Sequence, residues 1–122
     1  LPVPSERVVL GGFSQGAVMS LALGLAAGRP RPAGVVALSG FVPEVVGLAL
    51  DERVDDLPVA VVHGTYDPVI PVGLGRAAAS RLAAAGADVL WRERPVAHTV
   101  DPQSLPELRA FVAAAIEAGR RQ

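Results

Sequence analysis

Ser14 stands in "GGFSQGA", with Gly12 two residues before it and Gly16 two after it; the apolar run "RVVL" leads in and an apolar stretch follows. A serine hydroxyl is a poor nucleophile at neutral pH, so a reactive one needs a base within hydrogen-bond reach and donors for the oxyanion it creates. In G-x-S-x-G the serine occupies a sharp turn from strand to helix, where small flanking residues relieve crowding around a strained backbone. The next backbone N–H, that of Gln15, then lies at a helix N-terminus, where negative charge is favoured. Glycine and serine are common, and the competing reading is a small polar residue at a tight turn. The strand before and the helix after are the setting the motif requires, and they favour the nucleophile.

The chain has two histidines and no cysteine, so nucleophilic chemistry falls to oxygen and proton transfer to imidazole. His63 ends the run "VAVVH", where an imidazole bonded to nearby backbone is the expected role. His98, in "PVAHTVDP", follows the last predicted strand, and open α/β sheets place their ligands beyond the carboxyl ends of the strands. It is the candidate base. The acid should orient that imidazole and stabilise its cationic form without taking the proton. Asp67, in "HGTYDPVIP", sits just past the third predicted strand in a turn braced by Pro68 and Pro71, although aspartate before proline also forms turns on its own account. Asp101 is a rival, but three residues from His98 it is expected to shape its own loop. Ser14, Asp67 and His98 thus follow one another as serine, acid and histidine, each after a predicted strand, which is the chain order of α/β-hydrolases.

The elements that must position these groups are legible in outline. Strands are predicted at Arg7 to Leu10, Gly34 to Leu38, Val59 to His63 and Asp88 to Arg92, the first three apolar on both faces, as in parallel sheets covered by helices. Helices are predicted from Gln15 to Ala27, stopping at Gly28; from Val72 to Ala85, stopping at Gly86; and from Leu105 to Ala118, with Ser104 and Glu107 spaced as a capping box. The alternation gives an α/β domain with right-handed crossovers. Ser39 to Pro58 is the least regular connection, and its acids Glu44, Asp51, Glu52, Asp55 and Asp56 read as solvated surface.

The 122 residues, 51% hydrophobic and 19% charged, suit a single domain over residues 1–122, without internal repeat or linker. A formal net charge of -1 provides no basic field for nucleic acid or an anionic membrane, and a small, roughly neutral partner fits better. The longest uncharged apolar stretch, "AVMSLALGLAA", is too short to span a bilayer, and no signal peptide is visible, so a cytoplasmic location is expected.

The blocks "GGFSQGA", "ALSGFVP", "HGTYDPVIP" and "HTVDP" resemble, in order, those of the phospholipase/carboxylesterase family, which includes bacterial carboxylesterases and acyl-protein thioesterases. The resemblance implies Ser14 as nucleophile, Asp67 as orienting acid, His98 as base and the N–H of Gln15 as one oxyanion donor, with no metal or organic cofactor. The chain departs from the family pattern at Ala97, where glycine is usual, and at Arg94 or Pro95, where an aromatic residue is often found. The family's earlier strands and its second oxyanion loop have no counterpart before Arg7, so the likeness maps to roughly the C-terminal half of the family domain.

A partial α/β-hydrolase fold is therefore expected: about four mostly parallel strands flanked by helices, with the N-terminal strands missing. The first strand would then have an unpaired edge, to be met by a second copy in a homodimer or by the missing N-terminal half. The expected function is hydrolysis of carboxylic esters or thioesters, with a small-molecule ester as substrate. The rival from another class is a non-catalytic hydrolase fragment that self-associates or binds a partner.

Overall fold

The computed structural model describes residues 3–43 and 50–120. After a short 3-10 turn at Ser5–Arg7, the elements run β1 (Val9–Phe13), α1 (Gln15–Leu25), β2 (Gly34–Leu38), β3 (Pro58–Gly64), α2 (Val72–Ala84), β4 (Asp88–Arg94) and α3 (Leu105–Arg120). The strands form one sheet in the order β1-β2-β3-β4, and every neighbouring pair is parallel.

Because successive side chains on a strand point to opposite faces, each apolar strand feeds two cores. Val35, Ala37, Val59 and Val61 face α1 and α2, packing with Ala17, Leu21, Leu25 and Leu82. Val36, Ala60 and Val62 face the other way and pack with Leu108, Phe111 and Val112 of α3. Helices therefore cover both faces, and β2 and β3, paired on both sides, are buried almost throughout.

The bounds of β3, α2, β4 and α3 move by one or two residues, as with β4, which runs on from Arg92 to Arg94, and three other shifts have a visible cause. The first strand begins two residues later than expected and runs through both glycines to Phe13, since its register with β2 continues to Phe13 opposite Leu38, while Arg7 falls in the 3-10 turn. The first helix ends at Leu25 rather than Ala27, because Ala26 is drawn into a bridge with Leu50. The capping box before α3 does not form: Ser104 Oγ is buried without a partner among the described residues, and Glu107 binds Arg92 through both carboxylate oxygens at 2.9 Å. Asp101 caps instead, accepting the Gln103 N–H at 3.0 Å ahead of the short 3-10 turn Pro102–Ser104 that leads into α3.

In the irregular connection, Asp51, Glu52, Asp55 and Asp56 are exposed, as expected of solvated acids, while Glu44 lies outside the described residues. Among the described residues no helix is long and apolar enough to cross a membrane, and β1 has no strand partner on its outer edge.

Candidate active site

Ser14 follows β1 directly and serves as the residue before α1, with φ 57° and ψ -116°. Few non-glycine residues hold a positive φ, and such strain concentrates where function requires an exposed side chain. The turn is tight because the sequence makes it so. A Cβ on Gly12 would strike the backbone of Gly16, so only glycine lets the start of the helix close onto the end of the strand. The Ser14 N–H is held by the Leu38 carbonyl at 2.8 Å, and its C=O accepts the first helical bond from Val18 at 3.1 Å. Its hydroxyl makes no cap to α1, which leaves the N–H groups of the first turn, beginning with Gln15, uncapped by it.

The hydroxyl turns to His98. Ser14 Oγ lies 2.9 Å from His98 Nε2, and His98 Nδ1 lies 2.7 Å from Asp67 Oδ2. An ionised carboxylate only accepts, so Nδ1 carries the proton and Nε2 is left to accept from the serine. The other carboxylate oxygen, Oδ1, accepts the backbone N–H groups of Val69 and Ile70, both at 2.8 Å. The Asp67 side chain is fully removed from solvent. Burial is the largest single influence on it and opposes ionisation, but the bonds from His98, Ile70 and Val69 together prevail and hold the carboxyl below its ordinary value.

The loop carrying His98 is fixed from several sides. Phe13 packs against the imidazole with ring centroids 4.8 Å apart. The Thr65 and Tyr66 N–H groups reach the carbonyls of Arg94 and Val96 at 2.8 and 3.1 Å, and a Cβ on Gly64 would run into the carbonyl oxygens of Val96 and Ala97. Across the base of the loop, Arg94 Nε donates to Asp101 Oδ2 at 2.8 Å. Gln103 and Arg94 together depress the Asp101 carboxyl. The structure thus brings Ser14, Asp67 and His98 into one chain of hydrogen bonds and gives Asp101 the loop-shaping part expected of it. His63 makes the backbone bond expected at the strand end, with Nε2 2.7 Å from the Ile70 carbonyl oxygen.

Sequence reasoning missed Phe13 as a wall for the imidazole and the clasp of Arg94 on Asp101. Arg94 had been noted only as a departure, and the one signal for the clasp was opposite charge seven residues apart across a turn. No group of three or more histidine or acidic side chains suited to a metal ion occurs among the described residues.

Residues 1–116 match the model of the phospholipase/carboxylesterase family. The chain belongs to that family. It is 36% identical to acyl-protein thioesterase 1 of Gibberella zeae over 118 residues, 88% of this chain and 47% of the relative. Identity to acyl-protein thioesterase 1 of Mycosarcoma maydis is also 36%, over 95% of this chain and 51% of the relative. The chain thus spans about half the length of the curated relatives it matches. Its fold is similar to that of a phospholipase/carboxylesterase from Dyadobacter fermentans, with TM-score 0.76 at 24% identity, covering 92% of this chain and 55% of that structure. These family relations accord with the α/β-hydrolase architecture described above.

Proposed function

We propose that this family member is a serine hydrolase of carboxylic esters or thioesters, with Ser14 as nucleophile, His98 as general base and Asp67 as orienting acid. The observation that carries the reading is the unbroken path from Ser14 Oγ through His98 to Asp67, at 2.9 and 2.7 Å. As Oγ attacks an acyl carbonyl, its proton passes to His98 Nε2, and the imidazolium that forms is stabilised by the Asp67 carboxylate. The oxyanion receives the Gln15 N–H and the positive end of α1. His98 then protonates the leaving alcohol or thiol, leaving an acyl-enzyme on Ser14. The same imidazole next takes a proton from water, whose attack releases the acid and restores the hydroxyl.

The family's acyl-protein thioesterases support thioesters alongside oxygen esters as substrates. The relatives' greater length supports a further part for the unpaired edge of β1, which would take a strand from the other half of the family domain. A groove of about 520 Å³ lined by Val3, Val8, Leu10, Leu23 and Pro32 runs beside that edge, away from Ser14. A second copy, the other occupant considered for the edge, draws no support from the relatives.

The test is release of nitrophenolate from p-nitrophenyl butyrate by the full chain, alongside a short-chain acyl thioester. A burst matching the concentration of Ser14, followed by slow turnover, is the expected result. With Gln15 as the one assigned oxyanion donor, turnover should fall about 100- to 1,000-fold below that of a site with two. Well-folded protein with no release above that of Ser14→Ala would overturn the reading in favour of a non-catalytic module.

A further inference from the structure

The second histidine has a place that strand packing does not account for. His63, near the end of β3, is completely buried, and α2 comes so close that a Cβ on Gly75 would stand 2.6 Å from its Nδ1. That nitrogen has no hydrogen-bond partner among the described residues. A buried slot of this kind favours an apolar side chain, because burial strips the nitrogen of solvent without giving it a protein partner. What the imidazole does offer is at its other end. The Ile70 carbonyl can only accept, so Nε2 carries the proton and donates to it at 2.7 Å.

Ile70 is the residue whose own N–H is bonded to Asp67 Oδ1. Both polar groups of Ile70 are therefore engaged, its N–H by Asp67 and its C=O by His63. The His63 Nε2 also stands 3.5 Å from Asp67 Oδ2, the oxygen that meets His98. That distance is beyond a hydrogen bond, but it turns the N–H edge of the ring toward the carboxylate.

We propose that His63 is a positioning residue for Asp67. It ties down the far end of the Asp67–Ile70 turn, keeps the turn's N–H donors on Oδ1 and thereby aims Oδ2 at His98. The inference rests on the reading of Asp67 as the orienting acid. His63 touches neither Ser14 nor substrate in this scheme; it acts through the turn.

Two substitutions separate this from a packing role. His63→Leu fills the slot without a donor, whereas His63→Gln carries an amide N–H at about the reach of Nε2. Each is measured for thermal midpoint, for the rate at which Ser14 is modified by a fluorophosphonate, and for the far-downfield proton resonance of His98 Nδ1–H bonded to Asp67. His63→Leu should stay folded, lose or shift that resonance and label about 10- to 100-fold more slowly, as is usual when the partner orienting a functional group is removed. His63→Gln should restore both. If His63→Leu does not fold, His63→Asn, whose amide is too short to reach the Ile70 carbonyl, takes its place against His63→Gln.

Wild-type labelling rate and an unmoved resonance in His63→Leu would overturn the proposal. So would losses in Gln and donor-less variants that simply follow their thermal midpoints. A wild-type chain that does not label at all defeats the hydrolase reading instead. In that event the resonance still decides the part played by His63.

Discussion

The bond from His98 Nδ1 to Asp67 is where chemistry and stability meet at the scale of single residues. Asp67→Asn presents an amide N–H where the imidazole needs an acceptor, which reverses the tautomer and should lower turnover by about 10⁴-fold while the fold persists, as kinetics and circular dichroism would register. Asp101 gives a separable test of electrostatics, since Asn there keeps the cap on Gln103 but loses the charge opposite Arg94. Its folded pKa lies below the ordinary 3.8, so the unfolded state binds the proton more readily and the carboxylate stabilises the fold above that value. That contribution is lost as pH falls through the folded pKa. The stability deficit of Asp101→Asn in denaturant titrations should therefore be steady between about pH 5 and 7 and shrink below the ordinary carboxylate pKa. Absence of a deficit at every pH would assign the residue's role to its cap alone. The convergence of Ser14, Asp67 and His98 was legible in the sequence because each falls just past a strand, in the order serine, acid and histidine. The contacts of Phe13 with His98 and of His63 with the Asp67 turn were not, because both depend on how separate elements meet in space.

Two glycines carry the site at the scale of elements. Gly12 lets α1 close onto β1, and Gly64 lets the His98 loop lie against the end of β3. The atoms in the way of a new Cβ are backbone in both cases and cannot swing aside, so Gly12→Ala and Gly64→Ala should each cost about 1–3 kcal/mol in stability. Gly64→Ala should also slow Ser14 labelling by more than its stability loss explains, because the displaced atoms belong to the residues just before His98. Labelling slowed by Gly64→Ala no more than its stability loss explains would argue against that reading of the loop. The apolar strands and the glycine stops made the element order readable, since both reflect local backbone preference. The end of β1 was not, because glycines are poor strand formers and only pairing with β2 draws Gly11 and Gly12 into the ladder. Ser104 had the spacing of a cap, but Arg92 on the adjacent strand claimed Glu107 and Asp101 took over one turn earlier.

For the molecule as a whole, helices pack on the two faces of the sheet, while β1, like β4 at the far side, has no strand partner on its outer edge among the described residues. Along α1, Met19 and Leu23 remain 54% and 41% exposed, and the apolar groove beside β1 continues the same side. An open strand edge next to exposed apolar side chains invites association. Met19→Lys with Leu23→Glu should leave stability within about 0.5 kcal/mol, as surface changes usually do, and reduce any concentration-dependent association in sedimentation. Unchanged association would place the contact elsewhere. The nearly all-apolar character of α1 calls for cover beyond the sheet, but a helix pattern cannot name what covers it. Whether the path through His98 makes Ser14 the nucleophile is decided by intact-mass analysis of the full chain after exposure to a fluorophosphonate. One adduct per chain is expected, located on Ser14, absent from Ser14→Ala and strongly slowed in His98→Ala. Folded protein that takes up no adduct, or takes it up at another residue, would contradict that role for Ser14.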